Sequence, residues 1–125
     1  MKILVVDDSK VMRRIVINAL GALKPEAILE AEDGKEACAV LSENSDVGLV
    51  LTDWNMPVMN GLALIESMRS NPATKSTPIV MITTESEKEN VITAIKAGAN
   101  NYVVKPFTPD VLLKKVQDVL EKANA

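Results

Sequence analysis

Three stretches of the chain, residues 3–6, 47–51 and 79–82, are apolar without alternation, and each runs within two residues into a polar side chain: Asp7, Asp53 and Thr83. A strand that covers one face of a sheet alternates apolar and polar side chains. An unbroken one is buried on both faces, as parallel strands are when helices pack on either side. The segments between these runs must therefore supply helices, and they carry the right spacing for it. Met12, Ile15, Val16, Ala19, Leu20 and Leu23 form a helical stripe ended near Gly21 and Pro25. Ala37, Val40 and Leu41 mark a second stripe; Leu62, Ile65 and Met68 a third, closed by Asn71-Pro72. Val91, Ile92 and Ile95 mark a fourth, closed by Gly98. Pro109, suited to a first helical turn, opens a fifth carrying Val111, Leu112, Val116, Val119 and Leu120.

Two shorter runs, 27–31 (interrupted by Glu30) and 102–104, belong at the sheet edges. Five strand and helix units then account for nearly all of the 125 residues, as one domain over 1–125 with one core. Right-handed crossovers give an α/β fold: a doubly wound five-stranded parallel sheet in the order 2-1-3-4-5, flavodoxin-like, with five helices.

In such a sheet, ligands bind at the carboxyl ends of the strands, beside the point where strand order reverses. The residues that follow the strands are Asp7-Asp8 after the first, Asp53 after the third, Thr83 after the fourth and Lys105 after the fifth. Singly, each has a structural explanation. Asp8 or Ser9 caps a helix, residues 53–57 form a turn, Thr83 is a strand-end hydroxyl, and Lys105 is solvated. Together they place three carboxylates, a hydroxyl and a lysine on one rim.

Two carboxylates about 5 Å apart at an effective dielectric of about 20 repel by roughly 3 kcal/mol, so three require a counter-charge. Oxygen ligands without thiolate or imidazole suit a hard divalent ion, and room for water and phosphate oxygens favours Mg²⁺. A carboxylate can attack phosphorus to give an acyl phosphate, with a metal and a lysine stabilising the transferring group. Asp53, central in the crevice, is the best-placed nucleophile, and the adjacent Asp7 and Asp8 suit the metal. An aspartyl-phosphate hydrolase would need a second acid two residues further on, where Asn55 stands. The constellation is built to accept a phosphoryl group and hold it.

At these residues the chain resembles the receiver domains of two-component response regulators, from end to end, and most closely those of the single-domain chemotaxis type. Asp53-Trp54-Asn55-Met56-Pro57 and Tyr102-Val103-Val104-Lys105-Pro106-Phe107-Thr108 are the most similar segments. The resemblance implies that Asp7, Asp8, Asp53 and the Asn55 backbone carbonyl hold Mg²⁺. It further implies that Asp53 is the phosphoacceptor and that Lys105 and Thr83 contact the phosphoryl oxygens. The donor would be the phosphohistidine of a sensor histidine kinase. Thr83 and Tyr102 would then move, remodelling the face formed by the fourth helix, fifth strand and fifth helix. Asn55 and Glu85 occupy the positions that tune spontaneous and phosphatase-assisted dephosphorylation, and the Lys105-Pro106 bond is expected to be cis. The chain departs from the family at Thr84, where a small residue is usual, and its branched side chain would narrow access to the phosphate.

Because the chain is expected to end about one turn past the fifth helix, output requires docking onto another protein, such as a flagellar motor switch protein. A single-domain relay intermediate would use the same residues, whereas a haloacid dehalogenase-type hydrolase lacks its second acid at Asn55. A flavodoxin would need a hydroxyl-rich phosphate loop where Asp7-Asp8 stands. The absence of histidine excludes histidine-based catalysis, and a lone Cys38 excludes an internal disulfide and fits the cytoplasm. A net charge of −3 with three aromatic residues, Trp54, Tyr102 and Phe107, argues against nucleic acid. The opening apolar run is too short for a membrane span or an export signal. A monomer is expected, catalysing only its own phosphorylation and dephosphorylation. Arg13 and Arg14 read as a solvated helix face.

Overall fold

The structure, a computed structural model, describes residues 1–84 and 88–123. Its elements follow strictly in alternation: β1 (Lys2–Val6), α1 (Lys10–Leu20), β2 (Ala27–Ala31), α2 (Gly34–Glu43), β3 (Val47–Asp53), α3 (Gly61–Ser70), β4 (Ile79–Thr84), α4 (Lys88–Ala97), β5 (Asn101–Lys105) and α5 (Pro109–Ala123). The strands form one parallel sheet in the order β2-β1-β3-β4-β5. This is the doubly wound, flavodoxin-like arrangement expected from the sequence, with the two short runs at the edges.

The unbroken apolar strands divide their side chains by the two-residue period of a strand. Ile3, Val5, Leu49, Leu51, Val80 and Ile82 point to one face, where Val16 and Leu20 of α1 and Leu112 and Val116 of α5 cover them. Leu4, Val6, Val50 and Met81 point to the other, beneath Leu41 of α2, Leu64, Ile65 and Met68 of α3 and Ala94 of α4. Neither face is wetted, so the strands need no polar alternation.

The helical stripes are wider in the sequence than in the fold. Ile15, Ile92, Ile95 and Val111 all lie on exposed surface. In α4 the inward residues are Val91 and Ala94. Successive residues differ by about 100° around a helix, which turns Ile92 and Ile95 away. Leu23, counted with the first stripe, sits in a 3-10 turn over Gly21–Leu23 that ends where Lys24 adopts φ 49°.

The helices that leave the carboxyl rim start sharply. Ser9, Asp33 and Asn60 each accept a backbone N–H three residues on, from Met12, Glu36 and Ala63. Thr108 does the same for Val111 at the start of α5. Capping at these positions fixes the loops that carry the polar rim.

Candidate functional site at the carboxyl rim

The crevice opens where β1 and β3, adjacent in the sheet, send their chains to opposite faces. Asp7 directly follows β1, and its N–H continues the ladder by donating to Ala31 O at 3.1 Å. Its Oδ1 accepts the Ser9 N–H at 2.8 Å. Asp53 ends β3 beside Ile82 of β4. Its Oδ1 accepts the Trp54 N–H at 2.9 Å, while Thr52 Oγ1 donates to its carbonyl. Asp7 and Asp53 are buried, at 3% and 8% exposure, and Asp8 is exposed. One carboxylate oxygen from each of the three lies within 4.8 Å of the others.

Lys105 reaches into this group from the end of β5. Its Nζ is 3.2 Å from Asp53 Oδ1 and 3.5 Å from Asp7 Oδ2. Burial pushes both carboxyls above their ordinary range. The Ser9 N–H and Lys105 oppose this at Asp7, and Asp8 adds to it; at Asp53, Lys105 opposes it and Asp7 adds to it. Asp7 Oδ2 is a buried oxygen with no hydrogen bond among the described residues, meeting Lys105 only at ion-pair distance. One lysine against three acids leaves negative charge uncompensated. An all-oxygen donor set around that orphaned oxygen fits a hard divalent cation.

The other expected site residues fall around this pocket. Thr83 is buried one step along β4 from Ile82, the partner of Asp53, and its Oγ1 lies 3.4 Å from Thr84 O. Thr84 is half-buried and pairs with Lys105 in the ladder. Asn55 is exposed two residues beyond Asp53. The Lys105-Pro106 bond is cis. Tyr102 lies farther back on β5, half-buried beside a hollow of about 200 Å³ shared with Val91, Ile92 and Val104. Lys115 Nζ sits 4.8 Å from the centre of its ring. Glu85 lies outside the described residues.

Two contributors were not evident from sequence. Gly61, the first residue of α3, donates its N–H to Trp54 O, and a Cβ there would collide with the Asp53 carbonyl oxygen. Arg13, expected to be solvated, is 8% exposed and donates to the Asp7 carbonyl. A signal was present: residues 13, 16 and 20 share one helical face, and Val16 and Leu20 are core. Beside them, Gly34 N–H donates to Met59 O, tying the loop after β2 to the loop after β3.

Residues 3–117 match the response regulator receiver domain, and the chain belongs to that family. Among its relatives are a chemotaxis protein CheY homolog of Campylobacter jejuni, 56% identical over 120 residues covering 96% of this chain and 92% of that one. Chemotaxis protein CheY1 of Helicobacter pylori is 58% identical over 120 residues, covering 96% and 97%. Among solved structures, chemotaxis response regulator CheY4 of Vibrio cholerae superposes with a TM-score of 0.85 at 37% identity, covering 94% of this chain and 97% of that one. The receiver domain of AraT, a response regulator from Geobacillus stearothermophilus, gives 0.86 at 29%, covering 98% and 95%.

Proposed function

We propose that the protein is the phosphorylation-activated response regulator of a chemotaxis two-component system, accepting a phosphoryl group on Asp53 and changing its affinity for a target such as a flagellar motor switch protein. The observation that carries this reading is the meeting of Asp53 with Asp7 and Asp8 within 4.8 Å, with Lys105 touching two of the three. The names of the similar proteins support the chemotaxis assignment.

In this reading a carboxylate oxygen of Asp53 attacks the phosphorus of a kinase phosphohistidine. The new P–O bond forms as the N–P bond breaks, the electron pair stays on the imidazole nitrogen, and that nitrogen takes a proton from solvent. Asp7, Asp8, Asp53 and the Asn55 backbone carbonyl would hold Mg²⁺, which supplies charge neutralisation for the entering phosphate. Lys105 holds a phosphoryl oxygen, and the Thr83 hydroxyl turns to donate to another. Tyr102 then changes its packing beside Val91, Ile92 and Val104, altering the surface offered to the target. Asn55, lacking a carboxylate, leaves the acyl phosphate without a built-in base, and with Glu85 it sets how readily water or a phosphatase removes the group. The chemistry is confined to the protein's own phosphorylation cycle, which would run in the cytoplasm. Among the described residues no helix is long and apolar enough to cross a membrane.

The test is labelling with acetyl phosphate and Mg²⁺. The wild-type chain takes up one phosphoryl group and Asp53→Asn takes up none. Full labelling of Asp53→Asn would place the acceptor elsewhere.

A further inference from the structure

Arg13 lies in the first turn of α1, yet its guanidinium is fixed between two strands. It donates through Nη1 to the Asp7 backbone carbonyl at 2.7 Å and through Nε to Glu30 Oε1 on β2 at 2.9 Å. The planar fork of arginine suits two acceptors at once, and little side-chain freedom remains to be lost when both are engaged. Asp7 is consequently held at every polar atom but one. Its N–H goes to Ala31, its Oδ1 accepts from Ser9, and its carbonyl accepts from Arg13. Among the described residues, Oδ2, facing Lys105, is the atom left over.

We infer that Arg13 is a positioning residue of the acidic pocket: by fixing the Asp7 peptide against β2 it aims Asp7 Oδ2 at the bound cation, and Glu30 holds the guanidinium in place. This rests on the divalent-cation reading of the pocket. An arginine that only braced α1 against the sheet would affect stability alone. One that orients a ligand also sets metal affinity, because partners behind a metal ligand are commonly worth tenfold or more in binding.

The experiment titrates Mg²⁺ against the fluorescence of Trp54, the single tryptophan, in the full chain, with urea unfolding in chelator run alongside. Arg13→Met keeps an apolar stem and loses both bonds, and is expected to bind Mg²⁺ about tenfold more weakly. Arg13→Lys, able to reach one acceptor, falls between Arg13→Met and wild type. Glu30→Gln retains an acceptor for Nε and stays within about twofold of wild type. Arg13→Met with a lowered urea midpoint and wild-type Mg²⁺ affinity would overturn the assignment, and if that variant does not fold, the same result in Arg13→Lys decides. A tenfold loss in Glu30→Gln would transfer the role to charge and overturn it equally. Absence of Mg²⁺ binding by the wild-type chain, in fluorescence and in titration calorimetry, would instead remove the cation reading itself.

Discussion

Lys105 Nζ lies 3.2 Å from Asp53 Oδ1 although their strands, β5 and β3, are separated by the whole of β4. The lysine also meets Asp7 at 3.5 Å, so it compensates two buried acids at once. Lys105→Ala should still fold but lose about 1–3 kcal/mol of stability near neutral pH, the penalty of leaving buried charge unpaired. Urea unfolding at several pH values checks this, and the deficit should shrink on acidification as the acids take up protons. The variant should also lose the coupling between phosphorylation and target binding. Wild-type target affinity in the phosphorylated variant would remove Lys105 from the switch.

A second expectation concerns pH and metal together. Asp7 and Asp53 titrate above the ordinary carboxylate value of 3.8, chiefly through burial. From that value up to their raised values the folded chain binds more protons than the unfolded one, so stability falls as pH rises through the window. A divalent cation competes with those protons. The stabilisation given by millimolar Mg²⁺ should therefore grow as pH climbs through the window, read as the shift in urea midpoint with and without chelator. A Mg²⁺ effect that was flat in pH would mean these two acids are not its ligands.

Gly61 and Gly21 form a contrasting pair. A Cβ at Gly61 would run into the Asp53 carbonyl oxygen and stand 3.1 Å from Trp54 Cα, whereas one at Gly21 meets nothing within 4 Å. Gly61→Ala should destabilise by about 1–3 kcal/mol, as overpacking does, and should weaken the Mg²⁺ response by displacing Asp53. Gly21, whose φ of −56° is open to any residue, should tolerate alanine with a gain of up to about 1 kcal/mol. Thermal or urea unfolding of the two variants gives opposite signs if the backbone approach at Gly61 is as described.

Val58 is a β-branched residue at φ 67°, 78% exposed, at the centre of a three-residue turn closed by Met59 N–H to Pro57 O at 2.7 Å. Left-handed backbone disfavours such a side chain by roughly 1–2 kcal/mol, and asparagine tolerates it. Val58→Asn should raise stability by about 1 kcal/mol in urea unfolding. A loss would show that the valine makes contacts worth more than its backbone strain.

Much of this architecture is written into residue order because both faces of the sheet are covered. Residues 3–6, 47–51 and 79–82 can be read as central strands since no water-facing side chain interrupts them, and Glu30 betrays the edge position of β2. The acids are legible for the same reason: they are the first polar groups after buried strands. Helix faces are less so. Ile92 and Ile95 look inward by residue type, but Ala94 lets α4 pack closely and turns them to solvent. Arg13 fails in the opposite sense, since a guanidinium reads as solvated until the Asp7 carbonyl and Glu30 are brought to it by the fold. Gly61 carries no local sign at all, its need for a bare Cα arising from a carbonyl on another element.

Among the described residues, β5 is paired with a neighbouring strand along one margin only. Two residues, Val103 and Val104, separate Tyr102, under the ammonium of Lys115, from Lys105 at the strand's tip. One short ribbon thus spans from the charge partner of Asp53 to an aromatic ring at the molecular surface, with no strand among the described residues on its outer side. If Asp53 takes a phosphate as proposed, a pull on that tip would be resisted by a single seam of hydrogen bonds, and a change of charge there would move the rim at small cost.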